Sequence, residues 1–173
     1  MLISDEYRQL NQDLHKNPKY GSRKREAIYS ELKTLTEATR SKTVLDYGCG
    51  KGEMARNLDN VTSYDPCVHE FSTKPEAKFD IVACCDVLEH IEPDCLLDVL
   101  NDIFGYADRA VYLVISTRPA GKTLADGRNA HLIVKPRDWW VELLAQNFPF
   151  WQLTVKTSDI SEITVIGVNN GRR

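Results

Sequence analysis

The chain has 173 residues, of which 42% are hydrophobic and 27% are charged, and this composition is ordinary for a globular domain with a sizeable core. It contains no apolar run of roughly 18 residues, which excludes a transmembrane helix, and its first residues lack the pattern of a signal peptide. The five cysteines include no C-x-x-C pair, so we expect reduced thiols in a cytoplasmic protein rather than a zinc site.

The net charge of −3 is distributed unevenly along the chain. Residues 1–42 carry 9 Lys and Arg against 6 Asp and Glu, residues 43–108 carry 4 against 14, and residues 109–173 carry 9 against 5. If both basic ends fold over the acidic middle, they favour a negatively charged ligand there. The alternative is ordinary surface charge.

Two helices are predicted before the first strand, over residues 3–15 and 22–40. The segment 17–21 between them, with its Asn, Pro and Gly, is typical of a turn. Tyr20 and the basic stretch 23–25 lie at this junction, where they could either cover a ligand or face solvent.

A glycine-rich turn follows the first predicted strand, 43–47. Gly48, Gly50 and Gly52 stand at a spacing of two, and residues 52–59 read as a helix. A glycine turn between a strand and a helix lets the backbone approach a ligand closely and take positive φ angles. Because it lies at the carboxyl end of a strand, it predicts the ligand site of an open α/β sheet.

Two acids flank this turn. Asp46 precedes the first glycine by two residues, and Asp65 ends a second predicted strand, 61–65. A dinucleotide site would show G-x-G-x-x-G and no carboxylate beside the pyrophosphate, so a nicotinamide oxidoreductase is disfavoured. The pattern D-x-G-x-G-x-G resembles motif I of the class I S-adenosylmethionine (SAM)-dependent methyltransferases.

The resemblance implies a single domain over residues 1–173, with 1–42 as an N-terminal helical cover and 43–173 as a Rossmann-like core. The fold expected is a doubly wound, mostly parallel α/β sheet with an antiparallel last strand. The chain is also similar to small bacteriophage methyltransferases and to methyltransferase-11/12 type domains. The residues that the resemblance assigns to SAM are Asp46, Tyr47, Gly48, Cys49, Gly50, Gly52, Asp65, Pro66 and Asp86, with Asp65 at the ribose.

The segment 66–78 departs from the family pattern. The family usually places a helix and a third strand here, with the strand end near the adenine, and 13 residues are too few for both. We therefore expect a loop and a reduced third-strand region. Phe71 and Ser72 are the adenine contacts that this loop suggests.

The remaining elements complete an α/β pattern. Residues 79–85 are continuously apolar, as in a strand buried on both faces, and a basic connection, 118–135, is long enough to suggest a functional loop. Arg118, Lys122 and Arg128 of that loop are candidate phosphate or carboxylate contacts. The other predicted elements are a helix at 93–104, a strand at 110–117, a helix at 136–147 and an antiparallel pair at 151–157 and 162–168.

Four side chains form a candidate metal site, and three of them, Glu89, His90 and His131, are the candidate catalytic residues. Asp86, Glu89 and His90 follow the strand 79–85, and His131 lies in the basic loop at the same end of the sheet. Two carboxylates and two imidazoles make a plausible site for Mg²⁺ or Mn²⁺. This set resembles the metal site of small-RNA 2′-O-methyltransferases and of ubiquinone-pathway O-methyltransferases, although the family usually has Glu at the position of Asp86.

Two alternatives to the metal site stay open. Glu89, His90 and His131 could act without a metal, with a histidine as general base, or they could be structural. The motifs of DNA amino-methyltransferases and of cytosine carbon-5 methyltransferases are absent after the strand 79–85. We therefore expect methylation of an oxygen or nitrogen on a small or nucleotide-like polar acceptor, with metal-assisted RNA 2′-O-methylation and non-catalytic SAM binding as alternatives.

Overall fold

The computed structural model describes residues 1–18, 20–21, 25–159 and 161–171, with the side chains of Ser158 and Asp159 left aside. One six-stranded sheet forms its centre. The strands are β1 (Val44–Tyr47), β2 (Val61–Tyr64), β3 (Phe79–Cys85), β4 (Ala107–Ser116), β5 (Trp151–Asp159) and β6 (Glu162–Asn169).

The strands lie in the order β2-β1-β3-β4-β6-β5. The first four pair in parallel, whereas β6 pairs antiparallel with β4 and β5 pairs antiparallel with β6. This arrangement confirms the mostly parallel sheet with an antiparallel C-terminal end. Because parallel strands expose their carboxyl ends at one edge, the segments after β1, β2, β3 and β4 meet there.

Helices cover both faces of the sheet. The described helices are α1 (Asp5–His15), α2 (Glu26–Thr39), α3 (Leu96–Tyr106) and α4 (Arg137–Asn147), of which the last three cover the faces. Leu32 of α2 packs with Tyr112 on one face, whereas Leu100 of α3 and Trp140 of α4 pack on the other. These four side chains are almost completely buried, as the apolar spacing of the helices requires. None of the described helices is long and apolar enough to cross a membrane.

Two segments between strands differ from regular α/β units. Residues 51–60 form successive turns rather than the helix predicted at 52–59. Gly52 takes a φ of 71° at its start, and Asn60 takes a φ of 58° at its end, and neither angle fits a right-handed helix. The segment 66–78 is a loop with one short 3₁₀ turn, His69–Phe71, as its length predicted.

The N-terminal helix α1 crosses the carboxyl edge of the sheet. Ser4 caps the helix, since its Oγ accepts a hydrogen bond from the Tyr7 amide at 3.1 Å. The same Oγ donates to Glu92 at 2.7 Å, and the Tyr7 hydroxyl donates to the His90 carbonyl. The Arg8 guanidinium donates to the Pro66 carbonyl at 3.1 Å. These bonds hold α1 over the segments that follow β2 and β3.

Candidate functional site

The glycine turn needs its glycines for two separate reasons. Gly48, Gly50 and Gly52 have φ angles of 78°, 54° and 71°, which disfavour other residues. A Cβ on Gly48 would also overlap the side chain of Val87, and one on Gly50 would lie 2.6 Å from the Gly21 carbonyl oxygen. The turn is therefore packed closely between the segment after β3 and the N-terminal region.

Two buried carboxylates lie beside this turn. Asp65 accepts hydrogen bonds from the Gly50 amide at 3.0 Å and from the Cys67 amide at 2.9 Å. Burial, and after it the charge of Asp65, raises the pKa of Asp46 to about 7. Burial also raises the pKa of Asp65, although these two amides and His15 oppose that effect. A ligand with a positive charge would relieve the unfavourable burial of both acids.

A cavity of about 820 Å³ opens at this edge of the sheet. Its size suits a cofactor or metabolite. All the residues assigned to SAM line this cavity except Gly52, which faces Phe71. Phe71 and Ser72, the predicted adenine contacts, do not line it. The lining residues of that set are Asp46, Tyr47, Gly48, Cys49, Gly50, Asp65, Pro66 and Asp86.

Glu89 lies at the bottom of the same cavity. It belongs to a 3₁₀ turn, Leu88–His90, that leaves β3, and its side chain is fully buried. One carboxylate oxygen accepts the Ser116 amide at 3.1 Å, whereas the other has no hydrogen-bond partner among the described residues. Burial, together with the charge of Asp86, raises the pKa of Glu89 to about 8. A buried carboxylate oxygen without a hydrogen-bond partner costs free energy, and a ligand that donates a hydrogen bond to it removes that cost.

His90 and His131 lie next to Glu89. One ligand atom from each of the three side chains falls within 4.8 Å of the others. The His90 Nδ1 lies 2.7 Å from the Ala130 carbonyl, and the His131 Nδ1 lies 2.6 Å from the Arg118 carbonyl. Because a carbonyl only accepts, both Nδ1 atoms carry a proton and donate it to these carbonyls, so each ring turns its Nε2 away from them.

The His90 imidazole is neutral at pH 7. Burial is the main cause that lowers its pKa to about 4, and the neighbouring His131 adds to the effect. A neutral imidazole with a fixed tautomer can accept a proton or bind a metal through Nε2.

Asp86 lies outside the three-residue cluster. Its carboxylate pairs with Arg25 at the start of α2, and Arg25 also bonds Glu162 at 3.2 Å. The structure therefore gathers three of the four predicted metal ligands. Asp86 still lines the cavity, and its φ of 57° turns the chain away from β3 towards Glu89.

The mouth of the cavity carries aromatic and basic side chains. The Tyr20 ring lies edge to face with the rings of His15 and His90. The Lys122 ammonium lies 4.5 Å from the centroid of the Tyr20 ring. Arg118 also lines the cavity. Arg128 does not line the cavity, and its guanidinium pairs with Asp126. Of the basic stretch 23–25, only Arg25 lies within the described residues.

Sequence reasoning predicted an N-terminal helical cover, with Tyr20 and the basic stretch 23–25 as candidates, but it named none of the earlier residues that line the cavity. Leu2, Ile3, Tyr7 and Asn11 all line the cavity, and so does Arg25. The Ser4 cap could have marked the start of α1, but no local pattern shows where a helix will pack.

Comparisons with known proteins identify the family to which the chain belongs. The chain matches the family described as a methyltransferase domain over residues 20–157. A search of the curated proteins finds no match.

Three solved structures illustrate the similarity. DhpI in complex with S-adenosylhomocysteine (SAH) is 16% identical, with 98% of this chain and 100% of that chain covered and a TM-score of 0.63. The 1,6-didemethyltoxoflavin-N1-methyltransferase of Burkholderia thailandensis, with 1,6-didemethyltoxoflavin and SAH bound, is 16% identical. The match covers 99% of this chain and 92% of that chain, with a TM-score of 0.65. The magnesium protoporphyrin IX methyltransferase ChlM from Synechocystis PCC 6803, with SAH bound, is 15% identical, with 94% and 84% covered and a TM-score of 0.60.

At these identities the solved structures establish the fold, and the family match establishes the family. Residues 20–157 make up most of the chain. The protein therefore belongs to the methyltransferase-domain family and has the fold of the class I SAM-dependent methyltransferases, as its glycine turn predicted.

Proposed function

We propose that this protein transfers the methyl group of SAM to an oxygen or nitrogen atom of a small or nucleotide-like polar acceptor. One observation carries the proposal: a single cavity joins the glycine turn, with its two buried acids, to the cluster of Glu89, His90 and His131. Methyl transfer needs a donor and an acceptor held in line at contact distance, and alignment alone can supply up to about 7–11 kcal/mol of the barrier.

The glycine turn fits the methyl donor. A side chain at Gly48 or Gly50 would overlap Val87 or the Gly21 backbone, so the turn keeps this shape only with glycine at both positions. The carboxylates of Asp46 and Asp65 suit a ligand that carries an ammonium, a sulfonium and ribose hydroxyls. SAM is the cofactor, and when bound it supplies a methyl group activated on a positively charged sulfur.

The histidines suit the proton transfer that accompanies methylation. An acceptor hydroxyl or amine loses one proton as its heteroatom gains the methyl group. His90 is neutral, and its Nε2 lone pair is available because Nδ1 donates to Ala130. The free oxygen of Glu89 can hold the acceptor's hydrogen-bond donor in place.

A divalent cation in the same cluster is a second candidate. Glu89, His90 and His131 offer one oxygen and two nitrogen ligands, with each imidazole oriented by a backbone carbonyl. Imidazole ligands suit Mn²⁺ better than Mg²⁺. A bound cation would lower the pKa of an acceptor hydroxyl, which is the chemistry that 2′-O-methylation of RNA needs.

Charge favours a small anionic acceptor over RNA. The net charge of the chain is −3, whereas RNA binding depends mainly on basic side chains. Arg118 and Lys122 nevertheless line the cavity mouth beside His131, and Arg and Lys side chains suit a carboxylate or phosphate group. Two of the structural neighbours have small organic molecules in their names, a toxoflavin precursor and a porphyrin.

Calorimetric titration with SAM and SAH tests the donor site. We expect micromolar binding of both by the wild type and at least tenfold weaker binding by Asp65→Asn. Asp59→Asn, an exposed acid outside the cavity, is the matched control and should bind like the wild type. Failure of the wild type to bind either molecule would contradict the proposed function.

A transfer assay tests the acceptor site. The protein and labelled SAM would be incubated with hydroxy acids, amino acids, phosphorylated metabolites, their neutral analogues and short RNAs, and SAH release measured. We expect transfer to an anionic small molecule and its loss in His90→Ala. Binding of SAM without transfer to any acceptor would support the non-catalytic alternative, and transfer to RNA alone would support 2′-O-methylation.

A further inference from the structure

The sheet ends at β2, so among the described residues no strand flanks β2 on its outer side to carry ligand contacts. The loop after Asp65 turns back on itself, because the Phe71 carbonyl accepts the Asp65 amide at 3.0 Å. Phe71 consequently packs towards Gly52 rather than towards the cavity. Of the loop 66–78, only Pro66 and Cys67 line the cavity.

The N-terminal segment, residues 1–11, occupies this side of the cavity instead. Leu2, Ile3, Tyr7 and Asn11 all line it. Arg8 joins the segment to the residue after Asp65 through its hydrogen bond to the Pro66 carbonyl. Ser4 and Tyr7 join the segment to the residues that follow β3, through hydrogen bonds to Glu92 and to the His90 carbonyl. The N-terminal segment thus bridges the two loops that border the cavity beyond Asp65.

We infer that the N-terminal segment forms the apolar wall against the nucleobase of the methyl donor, in place of a strand beyond β2. This inference rests on the proposed function. Asp65 is the group suited to ribose hydroxyls, and the glycine turn lies on one side of it. A base attached to that ribose lies on the other side, towards Pro66, Cys67 and the N-terminal segment.

The chemistry of the wall matches a flat, weakly polar ring. Leu2, Ile3, Val87 and Ile91 supply aliphatic surface on the cavity lining. All four keep partial exposure, so they have surface left to contact a ligand. Aliphatic side chains that contact a base contribute to affinity by removing its apolar surface from water.

Competition titrations with two probes test the inference. SAH contains both the nucleoside and the amino-acid part of the donor, whereas 5′-methylthioadenosine contains the nucleoside without the amino acid. We expect Ile3→Ser to weaken the binding of both probes by about tenfold, since the substitution removes aliphatic contact area. Gln9→Ser, on the exposed side of α1, should bind both like the wild type.

A second variant keeps the test decisive if Ile3→Ser lowers stability. Ile3→Val removes one methylene and retains the fold, and we expect it to weaken both probes by about threefold. Thermal unfolding without ligand would accompany each titration. A variant that melts like the wild type and binds more weakly supports a contact with the ligand.

Three outcomes would overturn the inference. SAH binding could weaken while 5′-methylthioadenosine binding stays unchanged, which would place Ile3 at the amino-acid end. Both probes could bind all variants equally, which would make the segment structural. The nucleoside probe could fail to displace SAH from the wild type. Failure of the wild type to bind SAH would instead contradict the proposed function itself.

Discussion

The imidazole rings of His90 and His131 lie edge to face, with their centroids 4.6 Å apart. His90 ends a 3₁₀ turn after β3, and His131 belongs to the long loop after β4. Two further bonds fix the loop on this turn: the Ile133 amide donates to the Glu89 carbonyl at 2.9 Å, and the His90 Nδ1–H donates to Ala130. The two histidines are thus held together by backbone groups, which leaves both Nε2 atoms available for chemistry.

This arrangement predicts Mn²⁺ binding that depends on His131. We expect the wild type to bind Mn²⁺ and His131→Ala to bind it at least tenfold more weakly, because the substitution removes one of three ligands. Paramagnetic resonance of free Mn²⁺ measures the affinity directly. His69→Ala is the control, since His69 is exposed and lies outside the cluster. Equal Mn²⁺ affinity in wild type and His131→Ala would contradict the metal proposal.

The sequence predicted those parts of the site that are encoded by residues close to one another along the chain. The glycine turn, Asp46 and Asp65 are short patterns at strand ends, and parallel topology brings strand ends together. The pairing of Asp86 with Arg25 could not be predicted, because it depends on where the start of α2 packs. The sequence predicted an N-terminal helical cover but, for the same reason, not which of its first residues line the cavity.

The prediction of a helix at 52–59 is wrong because of the backbone geometry at its two ends. Its composition favours a helix, but Gly52 takes a φ of 71° to fit the turn, and Asn60 takes a φ of 58° before β2. A local requirement of the ligand turn thus outweighed helix propensity. Sequence pattern alone does not reveal which glycine carries a positive φ.

Asp46→Asn should stabilise the ligand-free protein at high pH. The pKa of Asp46 is about 7 in the folded protein against its ordinary value of 3.8, so between these two pH values the folded state binds a proton that the unfolded state has lost. Its contribution to stability therefore falls as pH rises from about 4 to 7. At pH 8 we expect the variant to exceed the wild type by on the order of 2 kcal/mol.

Denaturant unfolding at pH 5 and pH 8 measures this effect. The stability difference between variant and wild type should be larger at pH 8 than at pH 5. Asp94→Asn, an exposed substitution, should leave the pH dependence of the wild type unchanged. A difference that does not grow with pH would show that Asp46 is ionised in the folded protein throughout this range.

Asp46 also predicts how cofactor affinity changes with pH. A ligand with an ammonium group favours the ionised carboxylate, and ionisation of Asp46 proceeds through about pH 7. SAH should therefore bind about tenfold more tightly at pH 8 than at pH 6. Asp46→Asn should bind more weakly at pH 8 and lose most of this dependence. Calorimetry at both pH values distinguishes this result from a pH-independent loss of affinity.

Gly48→Ala should destabilise the protein through Val87 as well as through the backbone. Gly48 has a φ of 78°, and an added Cβ would overlap the Val87 side chain. Gly127 has a φ of 90° but nothing within 4 Å of such a Cβ. Gly127→Ala therefore measures the backbone cost alone, about 1–2 kcal/mol, and Gly48→Ala should cost more.

The double variant Gly48→Ala/Val87→Ala identifies the source of the difference. Removing the Val87 methyl groups should recover part of the stability lost in Gly48→Ala, because it makes room for the new Cβ. Thermal unfolding of the single and double variants gives the coupling between the two sites. If the stability losses of the two single variants simply add in the double variant, the turn avoids the overlap by moving away from Val87. SAH binding by Gly48→Ala should then be weaker than binding by the wild type.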